Sequence, residues 1–126
     1  MTAKDAVRTT AAPQPAGPYS QAIVSGDLLM TAGFGPQDPA TGEVADSVGE
    51  QTRQVLRNLR AVLAERGASL DDALKTTVHL ADLADFEEFN DAYREFFSEP
   101  FPVRTTVGSQ LANILVEIDL VARLPR

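Results

Sequence analysis

Two short apolar runs joined by a glycine turn limit the architectures open to this chain. Ala22-Ile23-Val24-Ser25 and Leu28-Leu29-Met30-Thr31-Ala32 flank the turn Ser25-Gly26-Asp27, which predicts a β-hairpin. Neither run alternates apolar with polar residues. A strand with one wet face alternates, whereas consecutive apolar residues belong to a strand covered on both faces. Only two helices are predicted downstream, and they cover one face of a sheet. Something else must cover the other, and the economical source is another copy of the same chain.

Ser47-Val48-Gly49-Glu50 is an S-x-x-E capping box and predicts a helix start. Val48, Val55, Leu59, Val62 and Leu63 then recur at helical spacing. Gly67 ends that helix, and Arg66 suits its negative end. Leu74, Thr76, Val78 and Leu80 alternate with Lys75, Thr77 and His79, which predicts a strand and makes His79 a surface or interface residue. Asp82 or Asp85 can cap a second helix running to about residue 98, ended by Pro100. Its apolar stripe is Phe86, Phe89, Tyr93, Phe96 and Phe97, and Asn90 falls inside it. A buried amide there must either bond a nearby loop or help to shape a ligand pocket.

Residues 114–122 predict the last strand, with Ile114, Val116, Ile118, Leu120 and Ala122 on one face. Glu117 and Asp119 share the other. Two acids so placed are usually a wet face, but on a covered face they must be paired or functional. The order β-β-α-β-α-β-β predicts an α+β fold with helices on one face of a mixed sheet. Residues 1–12 are small and polar and are expected to be loosely held, with residues 13–126 forming one domain.

The chain has 126 residues, no cysteine and one histidine. Thiol nucleophiles, Cys-ligated metals and multi-histidine metal sites are excluded. The net charge of −7, with 11 scattered Lys and Arg, argues against a nucleic-acid partner. No secretory signal or membrane-length apolar run is present, so a cytoplasmic protein without a membrane partner is expected.

Pro100-Phe101-Pro102-Val103-Arg104-Thr105-Thr106-Val107 leads from a turn into a β-branched strand. Arg104 is the only charge in the run. Most strand arginines are solvated or sit in ordinary salt bridges. A guanidinium held on a strand can also grip a carboxylate through two parallel hydrogen bonds.

With these stretches in hand, the chain resembles the reactive-intermediate deaminase family, the Rid or YjgF-type proteins, from Pro15 to Ala122. The resemblance is carried by Gly17-Pro18-Tyr19-Ser20-Gln21-Ala22-Ile23, Thr31-Ala32-Gly33, Thr41-Gly42-Glu43-Val44, Lys75-Thr76-Thr77-Val78 and Asp82-Leu83-Ala84-Asp85-Phe86. Asn90-Asp91-Ala92-Tyr93, Phe101 to Val107 and Val116-Glu117-Ile118 complete it. It implies a chorismate-mutase-like homotrimer, with sheets forming a central barrel and active sites in clefts between subunits. It also implies hydrolysis of small 2-imino or 2-enamino acids to 2-keto acids and ammonia, with no cofactor and no metal. By that resemblance Arg104 binds the substrate carboxylate, and Tyr19, Gly33, Asn90, Thr106 and Glu117 line or support the cleft. Glu117 is the candidate for orienting water or moving its proton.

Departures from the family pattern cluster around the cleft. Ala32 stands where many members have Ser, Phe34 where many have Gln, Thr106 in place of a frequent Cys and Gly108 in place of a frequent acid. The loop at residues 108–113 is shorter than usual. Ala32 and Phe34 are expected to add apolar character to the substrate site and alter its specificity. Two other readings stay open: a carboxylate-binding or regulatory trimer without turnover, and a pathway deaminase acting on an aminomuconate-like substrate.

Overall fold

Ser47 opens the longest element as the capping pattern requires. Its backbone is extended, and its side chain accepts the Glu50 N–H. In the computed structural model, which describes residues 3–125, helix α1 runs Val48–Ala64 from this cap. Only half of the capping box forms, because the Glu50 carboxylate turns to Arg53. Val55, Leu59, Val62 and Leu63 are fully buried, so the apolar stripe faces the core as expected. Gly67 ends the segment at φ +69°, a conformation that glycine adopts without strain. Ser47→Ala is expected to lower stability by about 1 kcal/mol, read as a shift in the urea midpoint.

Among the described residues the sheet has six strands: β1 (Asp5–Val7), β2 (Ala22–Ser25), β3 (Leu28–Thr31), β4 (Ala73–Leu80), β5 (Val103–Gly108) and β6 (Val116–Arg123). Their spatial order is β1-β2-β3-β6-β4-β5. Among the described residues only β4 and β5 pair in parallel, so the sheet is mixed and the fold is α+β. The expected hairpin forms, with Ser25 opposite Leu28 and Gly26 at φ +62°.

The N-terminal segment departs from expectation. Residues 5–7 pair with β2, and Val7 and Ala12 are buried in the core. The buried Gln21 amide secures the stretch after β1: its oxygen accepts the Thr9 N–H, and its nitrogen donates to the Thr9 and Pro13 carbonyls. The segment is held by this side chain and one strand pairing, not by any periodicity of its own.

The second helix is also shorter than its aromatic spacing predicts. Helix α2 covers Phe86–Tyr93, with 3-10 turns at Leu83–Asp85 and Arg94–Phe96. Asp82 caps the first of these by accepting the Ala84 N–H, and the chain is already extended at Phe97. Phe89, Tyr93 and Phe97 still pack inward, since tighter turns preserve the side on which they emerge.

Both helices cover the face that carries Thr76, Val78, Leu80, Val116, Ile118, Leu120 and Ala122, all buried. The other face of β5, β4, β6 and β3 is open in the single chain. Val103 is 66% exposed, Met30 43% and Val107 38%, around a polar patch of Lys75, Thr77, His79, Glu117 and Asp119. The hairpin's consecutive apolar residues thus have one buried side and one that this chain does not cover. Among the described residues no helix is long and apolar enough to cross a membrane.

Candidate functional site

Strand β5 alternates, and Arg104 pairs with the fully buried Thr76 of β4. Its side chain therefore points to the helix side of the sheet. The guanidinium carbon lies 4.8 Å from the ring centre of Tyr93, 5.3 Å from Phe89 and 5.6 Å from Phe86. Among the described residues no carboxylate pairs with it. A half-buried guanidinium seated on aromatic rings, with no anion, is unfinished electrostatically. It opens on a cleft of about 310 Å³ lined by Asn90, Tyr93, Arg94, Phe101, Pro102 and Arg104. The Asn90 amide is half-buried and makes no hydrogen bond to a described residue. Of the two roles its position allowed, the loop bond is absent and the amide is free at the cleft wall. Thr106 is half-buried on the same strand face as Arg104, two residues on, but does not line this cleft.

Glu117 belongs to a different cleft. It pairs across to His79, whereas Leu120, on the buried face, pairs with Thr76. Glu117 therefore stands on the open sheet face, opposite to Arg104. Its carboxylate lies over Gly33: a Cβ there would overlap Oε1 and come within 3.0 Å of Cδ. Gly33, Glu117, Tyr19, Gln21 and Phe34 help to line a cleft of about 340 Å³ walled by the 13–16 segment and Ile114. Tyr19 is half exposed, and its hydroxyl accepts the Ala16 N–H at 3.0 Å.

Phe34 reaches the cleft wall with only a small part of its ring. It is 4% exposed in the core, and its backbone N–H and C=O bridge to Ile118. Isolated bridging to β6 turns its side chain under the sheet. Ala32 is half-buried against the core, donates its N–H to the Gln21 carbonyl and does not line the cleft. The sequence-predicted residues thus fall into two sets, Arg104 with Asn90 and Glu117 with Tyr19 and Gly33, which one chain keeps apart.

Three contributors escaped sequence reasoning. Tyr93 and Phe89 read as core stripe, and nothing in their spacing shows that Arg104 rests on them. The Tyr93 hydroxyl sits 2.8 Å from the Thr76 hydroxyl, with either able to donate. Burial pushes the Tyr93 phenol above its usual range, against the opposing pull of Thr76 and the Arg104 charge. Gln21 is the third, since it pins the segment that carries Tyr19. A polar residue abutting an apolar strand was its only signal.

On the open face, His79 Nδ1 lies 2.7 Å from Ser109 Oγ, and the Lys75 ammonium donates to Thr105. Asp119 is pushed above the ordinary carboxylate range by desolvation, partly countered by His79 and Lys75. A carboxyl whose folded pKa is raised destabilises the fold once ionised. That cost is present above the folded pKa and fades as pH falls towards the unfolded value. Asp119→Asn is therefore expected to raise the melting temperature at pH 7, with the gain vanishing near pH 4, as followed by thermal melts across that range. Among the described residues no group of three or more His, Asp or Glu side chains is placed to hold a metal ion.

Among the described residues a mixed sheet carries α1 and α2 on one face, and Arg104 and Glu117 line separate clefts. The chain belongs to the Endoribonuclease L-PSP family, whose model matches residues 9–124. It is 46% identical over 123 residues to a RutC family protein of Pyrococcus abyssi, covering 95% of this chain and 97% of that one. It is 38% identical over 121 residues to the 2-iminobutanoate/2-iminopropanoate deaminase of Salmonella typhimurium, covering 92% and 94%. The crystal structure of RidA from a Psychrobacter species superposes with a TM-score of 0.91 at 34% identity, covering 95% and 99%. The fold and the Rid-type resemblance read from the motifs agree with these relatives.

Proposed function

We propose that this chain hydrolyses small 2-imino and 2-enamino acids to 2-keto acids and ammonia, in clefts assembled between copies of itself. The observation that carries the reading is Arg104: half-buried, seated on three rings, without a carboxylate partner and open to a small cleft. Such a group suits a substrate carboxylate in bidentate pairing. The Salmonella relative, named for deaminating 2-iminobutanoate and 2-iminopropanoate, supports that substrate class.

An imine carbon is already electrophilic, so no protein nucleophile is needed. Arg104 holds the carboxylate, and the Asn90 amide adds a hydrogen bond. Glu117 accepts a proton from a water as its oxygen attacks C2 of the N-protonated imine, giving a neutral carbinolamine. Glu117 returns that proton to the nitrogen, the carbinolamine hydroxyl then gives its proton to Glu117 as the C–N bond breaks, and ammonia leaves as C2=O of the keto acid forms. An enamine substrate is first protonated at C3 to become the imine. Placing water, acid–base group and carboxylate together supplies the rate enhancement.

Because Arg104 and Glu117 occupy opposite sheet faces, one substrate meets both only if different copies contribute them. The open face, with Met30, Val103 and Val107 exposed, gives the copies a surface to bury. A homotrimer with its sheets facing inward satisfies both requirements. The net charge of −7 disfavours a nucleic-acid partner.

The test generates 2-aminoacrylate in situ with a dehydratase and follows imine loss with and without the protein, while sedimentation reports the assembly. Acceleration by a trimer is expected. A trimer that binds small carboxylates without accelerating imine loss would replace this reading with a non-catalytic binding role, and a monomer would overturn the shared cleft.

A further inference from the structure

Arg104 is held by an unusual set of partners. Its guanidinium lies beside three rings and lines the cleft, with Tyr93 the nearest ring at 4.8 Å and itself part of the cleft wall. Tyr93 is itself fixed from three directions. It stacks on Phe97 at 4.4 Å between centroids and 28° between planes, tilts against Phe89 at 5.4 Å, and bonds the buried Thr76 hydroxyl at 2.8 Å. Thr76 lies directly opposite Arg104 in the parallel ladder. One strand pair therefore fixes both the arginine backbone and the hydroxyl that orients the ring beneath its side chain.

A fork grips a carboxylate through two parallel bonds only when its plane is set beforehand. An arginine paired with a protein acid would have its plane set by that acid, and the substrate would have to displace it. A ring face orients a guanidinium by its quadrupole without occupying its N–H edge. We propose that Tyr93, locked by Thr76, is the positioning residue that sets the Arg104 plane for the incoming carboxylate. This rests on the assignment of Arg104 as the carboxylate anchor, and it adds a role for two residues that do not themselves carry the reaction. The phenol stays protonated through neutral pH, since burial raises its pKa, so its hydroxyl serves as a structural pin.

The test measures binding of 2-oxobutanoate, a product-like carboxylate, by titration calorimetry, beside KM and kcat for the imine. Four proteins are compared: wild type, Arg104→Ala, Tyr93→Leu, and the double variant Tyr93→Phe with Thr76→Val. Tyr93→Leu removes the ring and is expected to weaken binding and raise KM about tenfold, with kcat within about threefold. It also opens space beside Phe89 and Phe97, so a loss of stability could mimic this result. The double variant removes that ambiguity: it keeps the ring and deletes the paired hydroxyls together, along with the Tyr93 hydroxyl's own contact to Arg104. Its melting temperature is expected to stay near wild type while affinity falls about threefold. Wild-type affinity in the double variant, or a fall in kcat with KM unchanged in Tyr93→Leu, overturns the positioning role. Unchanged affinity in Arg104→Ala would instead remove the anchor itself, and with it both readings.

Discussion

Arg104→Ala is expected to lower kcat/KM for 2-aminoacrylate by at least ~100-fold while the protein stays folded and assembled. Truncating one partner of a desolvated, hydrogen-bonded charge pair costs about 2–5 kcal/mol, and each ~1.4 kcal/mol is a factor of ten. In the chain without substrate no ion pair is lost, because none of the described acids meets this guanidinium. The stability change is limited to the ring contacts, on the order of 1 kcal/mol. Arg104→Lys retains charge but not the planar fork, so it should recover only part of the activity. Steady-state kinetics with sedimentation checks the result. Near-wild-type kcat/KM in the alanine variant would mean that the carboxylate is held elsewhere.

Gly33→Ala should separate activity from stability in the opposite sense. The new methyl must displace the Glu117 carboxylate, whose Oε1 and Cδ occupy that space. Gly33 is exposed and is not among the glycines with positive φ, so its backbone accepts alanine. Replacing glycine at a compatible position commonly stabilises by about 0.4–1 kcal/mol through the unfolded chain. A melting temperature unchanged or slightly raised is therefore expected. A displaced acid–base group loses part of its contribution, which is typically 10²–10⁴-fold, so kcat should fall by roughly 10–100-fold. Glu117→Gln is the comparator and should fall at least as far. A Gly33→Ala protein with full kcat would remove Glu117 from the chemistry in this cleft.

The site was legible in parts and not as an assembly. Arg104 on a strand, and Glu117 and Asp119 sharing a face, follow from alternation alone. That Arg104 rests on Tyr93, Phe89 and Phe86 does not, because a residue on α2 and one on β5 meet only after the parallel pairing with β4 is made. The depth at which Phe34 sits was hidden for a related reason. A two-way backbone bridge to the distant Ile118 turns most of its ring into the core. Strand β1 was missed because three residues with a single buried valine carry no period.

Local chemistry in the sequence determined the glycine turn of the hairpin, the cap and apolar stripe of α1, and the alternation of β4 and β6. Each depends on residues within one or two turns or strand steps of one another, where sterics and periodicity act directly. Only the tertiary structure decided which strand faces coincide. A register irregularity between Ala73 and Lys75 leaves Leu74 exposed, off the buried face of Thr76, Val78 and Leu80 that alternation predicted for it, and from Lys75 to Leu80 β4 then pairs regularly with β6 and β5. That long-range pairing puts Glu117 on the open side while Arg104 lies under the helices. It divides the candidate site between two faces of one chain.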